Sequence, residues 1–218
     1  MESTDWDRAY RGDRPPAWSI GEPQPELAAL LDRPGAVRSE VLDAGCGYGE
    51  LTLAIAARGH TVVGMDVSET ALSAAVAAAE TRGLTAQFVT ADVTELTGYD
   101  GRFTTIVDSG LLHALPAERR DDYLAAMSRA AARGAQLHVL AFAADAFPAA
   151  GGEGPARFSA AGLRAVLGRH WQVGEIRTAY LQSAATRLPD GSAPPAAATD
   201  ERGRLTIPGL LATAHKPG

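Results

Sequence analysis

The chain has 218 residues, of which 46% are hydrophobic and 21% charged, and its formal net charge is −6. This length fits a single domain whose core is large enough to fold without disulfides. The acidic balance argues against a nucleic-acid partner, since such proteins favour a basic face. The lone cysteine, Cys46, excludes an intramolecular disulfide and a cysteine-rich zinc site. No stretch has the pattern of a membrane span or a signal peptide, so we expect a cytoplasmic protein.

The first part of the chain is rich in charge, tryptophan and proline. A short helix is predicted over Asp5–Tyr10, and a loop follows from Gly12 to Pro23. Pro25 suits the first turn of a helix over Glu26–Leu31, which the pair Pro34-Gly35 ends.

Beyond this segment, short apolar runs alternate with helical patterns. Strands in such an order pair in parallel through right-handed crossovers, which predicts an α/β protein with an open, doubly wound sheet. Ser68 suits the N-cap of the second core helix, and Gly83 suits its end. The predicted strands are Glu40–Ala44, Thr61–Met65, Ala86–Thr90, Phe103–Asp108, Gln136–Phe142, Val173–Ala179 and Leu210–His215; the predicted helices are Glu50–Arg58, Glu69–Arg82, Ala117–Ala132 and Ala160–Leu167; and the predicted loops are Phe147–Pro155 and Leu181–Gly203.

The most informative stretch runs from Val41 to Glu50, where a strand with Asp43 near its end leads through three alternating glycines into a helix. Glycine permits positive φ and a close ligand, and the free N–H groups of a helix start favour an anionic group. The loop could therefore hold a dinucleotide pyrophosphate or the carboxylate of an amino acid. Glu50 occupies the third position of the dinucleotide pattern G-x-G-x-x-G and disfavours pyrophosphate. Because Asp43 supplies charge for a ligand ammonium, the sequence favours a zwitterion.

Two more acids follow the next strands. Asp66 closes the second strand, 21 residues after Gly45, which is the spacing of the acid that binds ribose hydroxyls in nucleotide-binding doubly wound folds. Asp92 follows the third strand and could accept a hydrogen bond from an adenine amino group. A lone acid in a loop is more often a cap or turn residue. Three acids at successive strand ends, beside a glycine loop, favour a nucleoside ligand instead.

Asp43 to Gly49 matches D-x-G-x-G-x-G, the first motif of the class I S-adenosylmethionine-dependent methyltransferases, which the chain resembles from Ser39 to Ala144. The resemblance implies a Rossmann-like fold with a mostly parallel, seven-stranded sheet and an antiparallel last strand in Leu210–Pro217. It implies one methyltransferase domain over residues 1–218, in which residues 1–35 cap the active site and residues 36–218 form the core. The cofactor would be S-adenosyl-L-methionine, and the residues expected to bind it are Trp18, Asp43, Gly45, Cys46, Gly47, Asp66, Val67, Asp92, Val93, Asp108 and Ser109.

Three shorter motifs resemble small-molecule members of that family, the thiopurine-type and mycobacterial heterocyclic-toxin methyltransferases. They are Trp6-Asp7-x-x-Tyr10, Trp18 to Pro25, and Asp108 to His113. This resemblance implies transfer of a methyl group to the O, N or S atom of a small aromatic or heterocyclic acceptor, such as a hydroxyquinoline, phenol or thiol. Such enzymes often carry an aromatic residue in place of Leu112, which leaves the shape of the acceptor pocket open. We expect a monomer or homodimer without a nucleic-acid or membrane partner.

Methyl transfer from a sulfonium is an in-line displacement that needs alignment, exclusion of water and, for some acceptors, removal of a proton. In an open parallel sheet these groups lie beyond the carboxyl ends of the strands, where Asp108 and His113 are the predicted catalytic residues. His113 is the candidate general base, and its alternative role is packing or starting a helix. Asp108 or its backbone would contact the ligand ammonium. Trp18 would cover the sulfonium by cation–π attraction or anchor the N-terminal segment.

Two other functions stay open at this point. A nicotinamide-dependent oxidoreductase shares the fold class, but the third glycine is missing and the only lysine is Lys216, so the Tyr-x-x-x-Lys pair of short-chain dehydrogenases is absent. A non-catalytic S-adenosylmethionine-binding regulatory protein would bind the same ligand without turnover. The acceptor-side sequence from Asp108 to His113 disfavours that reading.

Overall fold

The computed structural model describes residues 3–12, 14–147, 155–185 and 198–217. Its strands are β1 (Val41–Ala44), β2 (Val62–Asp66), β3 (Gln87–Thr90), β4 (Phe103–Ser109), β5 (Ala131–Phe142), β6 (Gln172–Ser183) and β7 (Leu205–His215). Its helices are α1 (Ser3–Tyr10), α2 (Pro25–Leu31), α3 (Glu50–Ala57), α4 (Glu69–Arg82), α5 (Leu111–Ala114), α6 (Arg120–Ala130) and α7 (Ala160–Leu167), and a 3-10 turn covers Ala117–Arg119.

The seven strands form one sheet in the order β3-β2-β1-β4-β5-β7-β6. Strands β1 to β5 pair in parallel, and β7 lies antiparallel between β5 and β6. This confirms the predicted doubly wound sheet with its antiparallel last strand. The strand order reverses at β1, so the crevice between β1 and β4 is the place where such folds bind ligands.

Both faces of the sheet are covered, which explains its continuous apolar strands. Leu42 of β1 belongs to a core on one face that includes Tyr123 of α6. Its neighbour Val41 belongs to the core on the other face, with Leu27 of α2 and Ile55 of α3. Because successive side chains point to opposite faces, one short strand supplies both cores.

Several element boundaries differ from the predicted ones. The helix predicted over Ala117–Ala132 begins as the 3-10 turn and ends at Ala130, because Ala131 pairs with Phe103 in the sheet. Strands β6 and β7 extend beyond their apolar runs, since they pair with each other from Gln172↔His215 to Ser183↔Leu205. Helix α5 was not predicted. Residues 148–154 and 186–197 of the two predicted loops lie outside the described residues.

The described part of the N-terminal segment, residues 3–12 and 14–35, connects distant parts of the core. In α1, the Asp7 carboxylate accepts hydrogen bonds from the Ser68 hydroxyl (2.8 Å) and the Thr70 N–H (3.1 Å) at the start of α4. Farther along, the Gln24 side chain donates to the Gln182 carbonyl (2.9 Å) and accepts from the Gln182 N–H (2.7 Å) on β6. The segment therefore crosses the end of the sheet that carries the glycine loop. None of the described helices is long and apolar enough to cross a membrane.

Candidate active site

The loop after β1 depends on glycine at alternate positions. Gly45, Gly47 and Gly49 have φ values of +69°, +52° and +74°, which side chains disfavour. An added Cβ at Gly47 would lie 2.6 Å from the Tyr10 hydroxyl. The N–H groups of Gly45 and Cys46 both donate to the Met65 carbonyl, at 2.8 and 3.0 Å. The turn is therefore bound to β2, and its outer surface lies against the N-terminal segment.

A cleft lies between these two parts of the chain. Tyr10 and five residues between Trp18 and Gln24 form one wall, and residues from Asp43 to Leu51 form the other, with Ser109 beside them. The empty space between the two walls, together with the open mouth, is about 470 Å³. Among the described residues that line it, three are carboxylic acids and none is lysine or arginine.

Asp43 is a buried acid in the cleft, and one of its two carboxylate oxygens has no hydrogen-bond partner among the described residues. Its side chain is only 1% exposed. One carboxylate oxygen, Oδ2, accepts a hydrogen bond from the Thr52 hydroxyl at 2.6 Å, and the other, Oδ1, is buried with no hydrogen-bond partner among the described residues. Burial, assisted by the negative charge of Asp108, raises the pKa of Asp43 to about 7. Such an unsatisfied acceptor is costly, and a ligand ammonium would satisfy it.

Asp66, the predicted ribose acid, joins the glycine loop to α4. Its Oδ2 accepts from the Gly47 N–H at 2.8 Å and its Oδ1 from the Ser68 N–H at 2.9 Å. Burial raises the pKa of this carboxyl. Each oxygen keeps a second lone pair for a hydroxyl donor, so binding to ribose is compatible with this arrangement and stays a prediction.

Asp92, the predicted adenine acid, is partly engaged by the protein. Its Oδ1 accepts from the N–H and the hydroxyl of Thr94 at 2.9 and 2.6 Å. Its Oδ2 pairs with the Arg119 guanidinium at 3.1 Å. Val93 beside it is buried in the core, whereas Val67, after β2, is partly exposed. A ligand amino group would share Oδ2 with Arg119, and that contact also stays a prediction.

Asp108 is held by donors from its own loop and from α6. Its carboxylate accepts from the Leu111 N–H (2.7 Å), the Leu112 N–H (3.1 Å) and the Tyr123 hydroxyl (2.9 Å). Its side chain is 0% exposed, and burial raises its pKa to about 6. Ser109, the next residue, lines the cleft. The carboxylate therefore fixes α5 to the sheet, and Asp108 itself does not line the cleft.

His113, the candidate base, lies on α5 and is 7% exposed. The Phe142 N–H donates to its Nδ1 at 3.3 Å, and the two rings stack with centroids 4.0 Å apart. Because Nδ1 accepts, the proton of the neutral ring is assigned to Nε2. Burial and the nearby Arg120 lower the pKa of His113 to about 3. These features favour the packing role of His113 over that of a general base.

Aromatic side chains surround the mouth of the cleft. Trp18 is 49% exposed, and its indole N–H donates to the Tyr10 hydroxyl at 3.1 Å. The rings of Tyr10 and Tyr48 contact each other edge to face, with centroids 5.0 Å apart. The rings of Trp6 and Trp18 do the same, with centroids 5.9 Å apart. Trp18 therefore lies at the mouth of the cleft with contacts to the N-terminal segment. Both of its predicted roles, covering a ligand and anchoring that segment, are compatible with this position and stay predictions.

Several lining residues were absent from the sequence prediction. Tyr48 lies inside the glycine motif, and Ser19, Glu22 and Gln24 lie inside the stretch that follows Trp18, so the motifs themselves carried the signal. Ser19 donates its hydroxyl to the Glu50 carboxylate, a contact between parts of the chain that sequence spacing does not reveal. Cys46 lines the cleft, but burial raises the pKa of its thiol well above the ordinary value, so it is a poor nucleophile.

The chain is similar in sequence and in fold to known methyltransferases. A family model described as a methyltransferase domain matches residues 41–134. A 2-heptyl-1-hydroxyquinolin-4(1H)-one methyltransferase of Mycobacteroides abscessus is 42% identical to the chain, over 97% of this chain and 96% of that protein. A structure described under "Conversion of a Disulfide Bond into a Thioacetal Group during Echinomycin Biosynthesis" has a TM-score of 0.80 and 33% identity, and the match covers 98% of this chain and 92% of that one. A Burkholderia thailandensis 1,6-didemethyltoxoflavin-N1-methyltransferase, crystallised with S-adenosylhomocysteine, shares the fold at a TM-score of 0.58 and 23% identity, with 82% of this chain and 71% of that one covered.

Proposed function

We propose that this chain, which belongs to the class I S-adenosylmethionine-dependent methyltransferase family, methylates a small heterocyclic acceptor of the hydroxyquinolone type. One observation carries the cofactor half of the proposal: beside the glycine loop lies a buried carboxylate of which one oxygen, Asp43 Oδ1, has no hydrogen-bond partner among the described residues. The acceptor half is supported by the 42% identical relative, whose acceptor is a hydroxyquinolone. S-adenosylmethionine supplies the methyl group on its sulfonium.

The cleft, which Asp43, Gly45, Gly47 and Trp18 line, supports the following proposed roles for the cofactor-side residues. Asp43 would bind the ammonium, and the backbone around Gly45 and Gly47 would approach the methionine part. Asp66 would bind the ribose hydroxyls. Trp18, half-exposed at the mouth, would cover the sulfonium, with residues 1–35 acting as a cap. The remaining proposed cofactor contacts are Cys46, Val67, Asp92, Val93, Ser109 and the backbone of Asp108.

The acceptor side requires no protein base in this proposal. His113 is a weak base because of its low pKa, and the Asp108 carboxylate is enclosed by its three donors. We therefore propose that the acceptor reacts through a heteroatom that is ionised, or carries a free lone pair, before it binds. The contribution of the protein would then be alignment and exclusion of water. We further propose that the protein works in the cytoplasm as a monomer or homodimer, without a nucleic-acid partner, in keeping with its net charge of −6.

A methyl-transfer assay tests this function. The purified chain would be incubated with S-adenosylmethionine and 2-heptyl-1-hydroxyquinolin-4(1H)-one, its analogue without the N-hydroxyl, a phenol or a thiophenol. Mass spectrometry should find methylated product and S-adenosylhomocysteine in equal amounts, with the hydroxyquinolone preferred. Cofactor binding without any product would support the regulatory alternative over an enzyme for these acceptors. Absence of cofactor binding would refute the proposed site itself.

A further inference from the structure

Asp43 is a buried carboxyl group to which the described residues provide one hydrogen bond and no cation. Thr52, on α3, donates to Oδ2, while Oδ1 has no partner in the part of the chain that the structure describes. The charges that act most strongly on Asp43 come from three elements and are acidic: Asp108 on β4, Glu50 on α3 and Asp66 on β2. The titratable side chains of Cys46 in the glycine loop and Tyr123 on α6 also interact with it, and both are neutral when protonated. The free protein therefore holds a carboxyl whose surroundings oppose its ionisation.

The free energy of an ionised group in such a place is unfavourable, because burial removes its hydration and no cation compensates. A carboxyl then retains its proton to a higher pH. Burial raises the pKa of Asp43 to about 7, in line with this geometry. Lysine and arginine are absent from the described lining of the cleft, so the missing positive charge has to come with the ligand.

We infer that cofactor binding is coupled to proton release: Asp43 carries a proton in the free protein at mildly acidic pH and loses it when the cofactor ammonium arrives. This inference rests on the proposed cofactor site. The proton balance is simple, since a carboxylic acid and an ammonium become a carboxylate–ammonium pair and one proton passes to the buffer. Below neutral pH, protons therefore compete with the cofactor for Asp43.

Both the number of protons released and the affinity for the cofactor should depend on pH. With a pKa of about 7 in the free protein, Asp43 releases about 0.9 protons per bound ligand at pH 6.0 and about 0.2 at pH 7.5. The affinity should consequently be about five- to tenfold weaker at pH 6.0 than at pH 7.5. At pH 6.0 an α-amino group is almost fully protonated, so the ligand contributes little to the proton count.

Isothermal titration calorimetry measures this count directly. S-adenosylhomocysteine, which has the same ammonium and does not react, would be titrated into the full chain at pH 6.0 in buffers of different ionisation enthalpy. The slope of the observed enthalpy against buffer ionisation enthalpy gives the protons released. Wild type should release close to one proton, Asp43→Asn close to none, and the control Asp122→Asn, which changes an exposed acid on α6 outside the cleft lining, the same number as wild type. Equal slopes for wild type and Asp43→Asn would overturn the inference.

Thr52→Val provides a second test if the Asp43→Asn variant binds too weakly. This nearly isosteric change removes the hydrogen bond that stabilises ionised Asp43, and Thr52 itself is not a predicted cofactor contact. Proton release at pH 7.5 should rise from about 0.2 towards one, and an unchanged value would contradict the inference. Failure of the proposed function looks different, because neither S-adenosylmethionine nor its demethylated product would then bind at any pH.

Discussion

The ends of β1 and β4 carry two buried aspartates that are one position out of register, so their side chains leave opposite faces of the sheet. Asp43 and Asp108 are 1% and 0% exposed, and they lie on adjacent strands in which Ala44 pairs with Asp108. Asp108 accepts hydrogen bonds from two backbone N–H groups and a tyrosine hydroxyl. Asp43 accepts one hydrogen bond, and its other oxygen has no partner in the part of the chain that the structure describes. Equal burial therefore does not mean equal hydrogen bonding, and this difference is the reason why we propose Asp43, and not the Asp108 carboxylate, as the group that binds the cofactor ammonium.

The direction of the following turn explains the difference. After β4 the chain turns into α5, so the N–H groups of Leu111 and Leu112 point back at Asp108. After β1 the glycine loop directs the N–H groups of Gly45 and Cys46 to the Met65 carbonyl instead. Asp43 is thereby left without donors from its own loop, which is the condition that a cationic ligand requires.

The largest expected effect is on cofactor affinity at Asp43. Asp43→Asn should weaken binding of S-adenosylhomocysteine about 100-fold at pH 7.5, because the ammonium loses a buried charged partner. The folded protein should not become less stable at that pH, since the change removes an uncompensated buried charge. Calorimetry gives the affinity and thermal unfolding gives the stability.

The pH dependence of stability is the control for that variant. The pKa of Asp43 in the folded protein, about 7, lies above its ordinary value, so the folded state binds more protons than the unfolded state between about pH 4 and 7. The contribution of Asp43 to the free energy of unfolding therefore decreases as pH rises through this window. Asp43→Asn should flatten this decrease. If Asp43→Asn unfolds more readily than wild type but binds S-adenosylhomocysteine normally, Asp43 would have the structural role that we assign to Asp108.

Asp108→Asn should show the opposite behaviour with a smaller effect. An amide cannot accept all three hydrogen bonds as well as a carboxylate does, so we expect the free energy of unfolding to fall by about 2 kcal/mol. Affinity for S-adenosylhomocysteine should change less than threefold at a temperature where the variant is folded. Urea unfolding and calorimetry measure the two quantities. A 100-fold loss of affinity with normal stability would make Asp108 a binding residue.

The smallest effect is expected at His113, which α5 carries beside Asp108. His113→Phe keeps a ring against Phe142, so turnover of the hydroxyquinolone should fall less than tenfold. The pH–rate profile should keep its shape, because an imidazole with a pKa of about 3 does not titrate between pH 6 and 9. Steady-state kinetics across that range, compared with wild type, provide the measurement. A drop of 100-fold or more, together with loss of an ionisation, would restore His113 as the general base.

Local signals explain the parts of the fold that the sequence predicts well. Helix α4 has the predicted bounds, since Ser68 accepts the Ala71 N–H at 3.1 Å at its start and Gly83 adopts a φ of +62° after its end. Capping involves neighbours within a few residues, so spacing alone reveals it. The doubly wound sheet was also predictable, because alternating strands and helices leave few right-handed arrangements.

Boundaries that depend on distant partners were predicted less well. Helix α6 ends where Ala131 pairs with Phe103, although the alanine-rich sequence has the propensity to continue as helix. Strand β6 reaches Ser183 because Leu205 lies opposite. In both cases pairing in the sheet outweighs local propensity.

By itself the sequence determined the glycine loop, the acids at the strand ends and the family, since each depends on residue type at short spacing. The tertiary structure alone decided that Asp108 has hydrogen-bond donors for its carboxylate, whereas Asp43 Oδ1 has none among the described residues. Tyr123 reaches Asp108 across 15 residues, and the Phe142 N–H reaches His113 across 29. Such contacts and burial set the pKa values of Asp43, Asp108 and His113, because both the donors and the exclusion of water come from elements far apart in the chain.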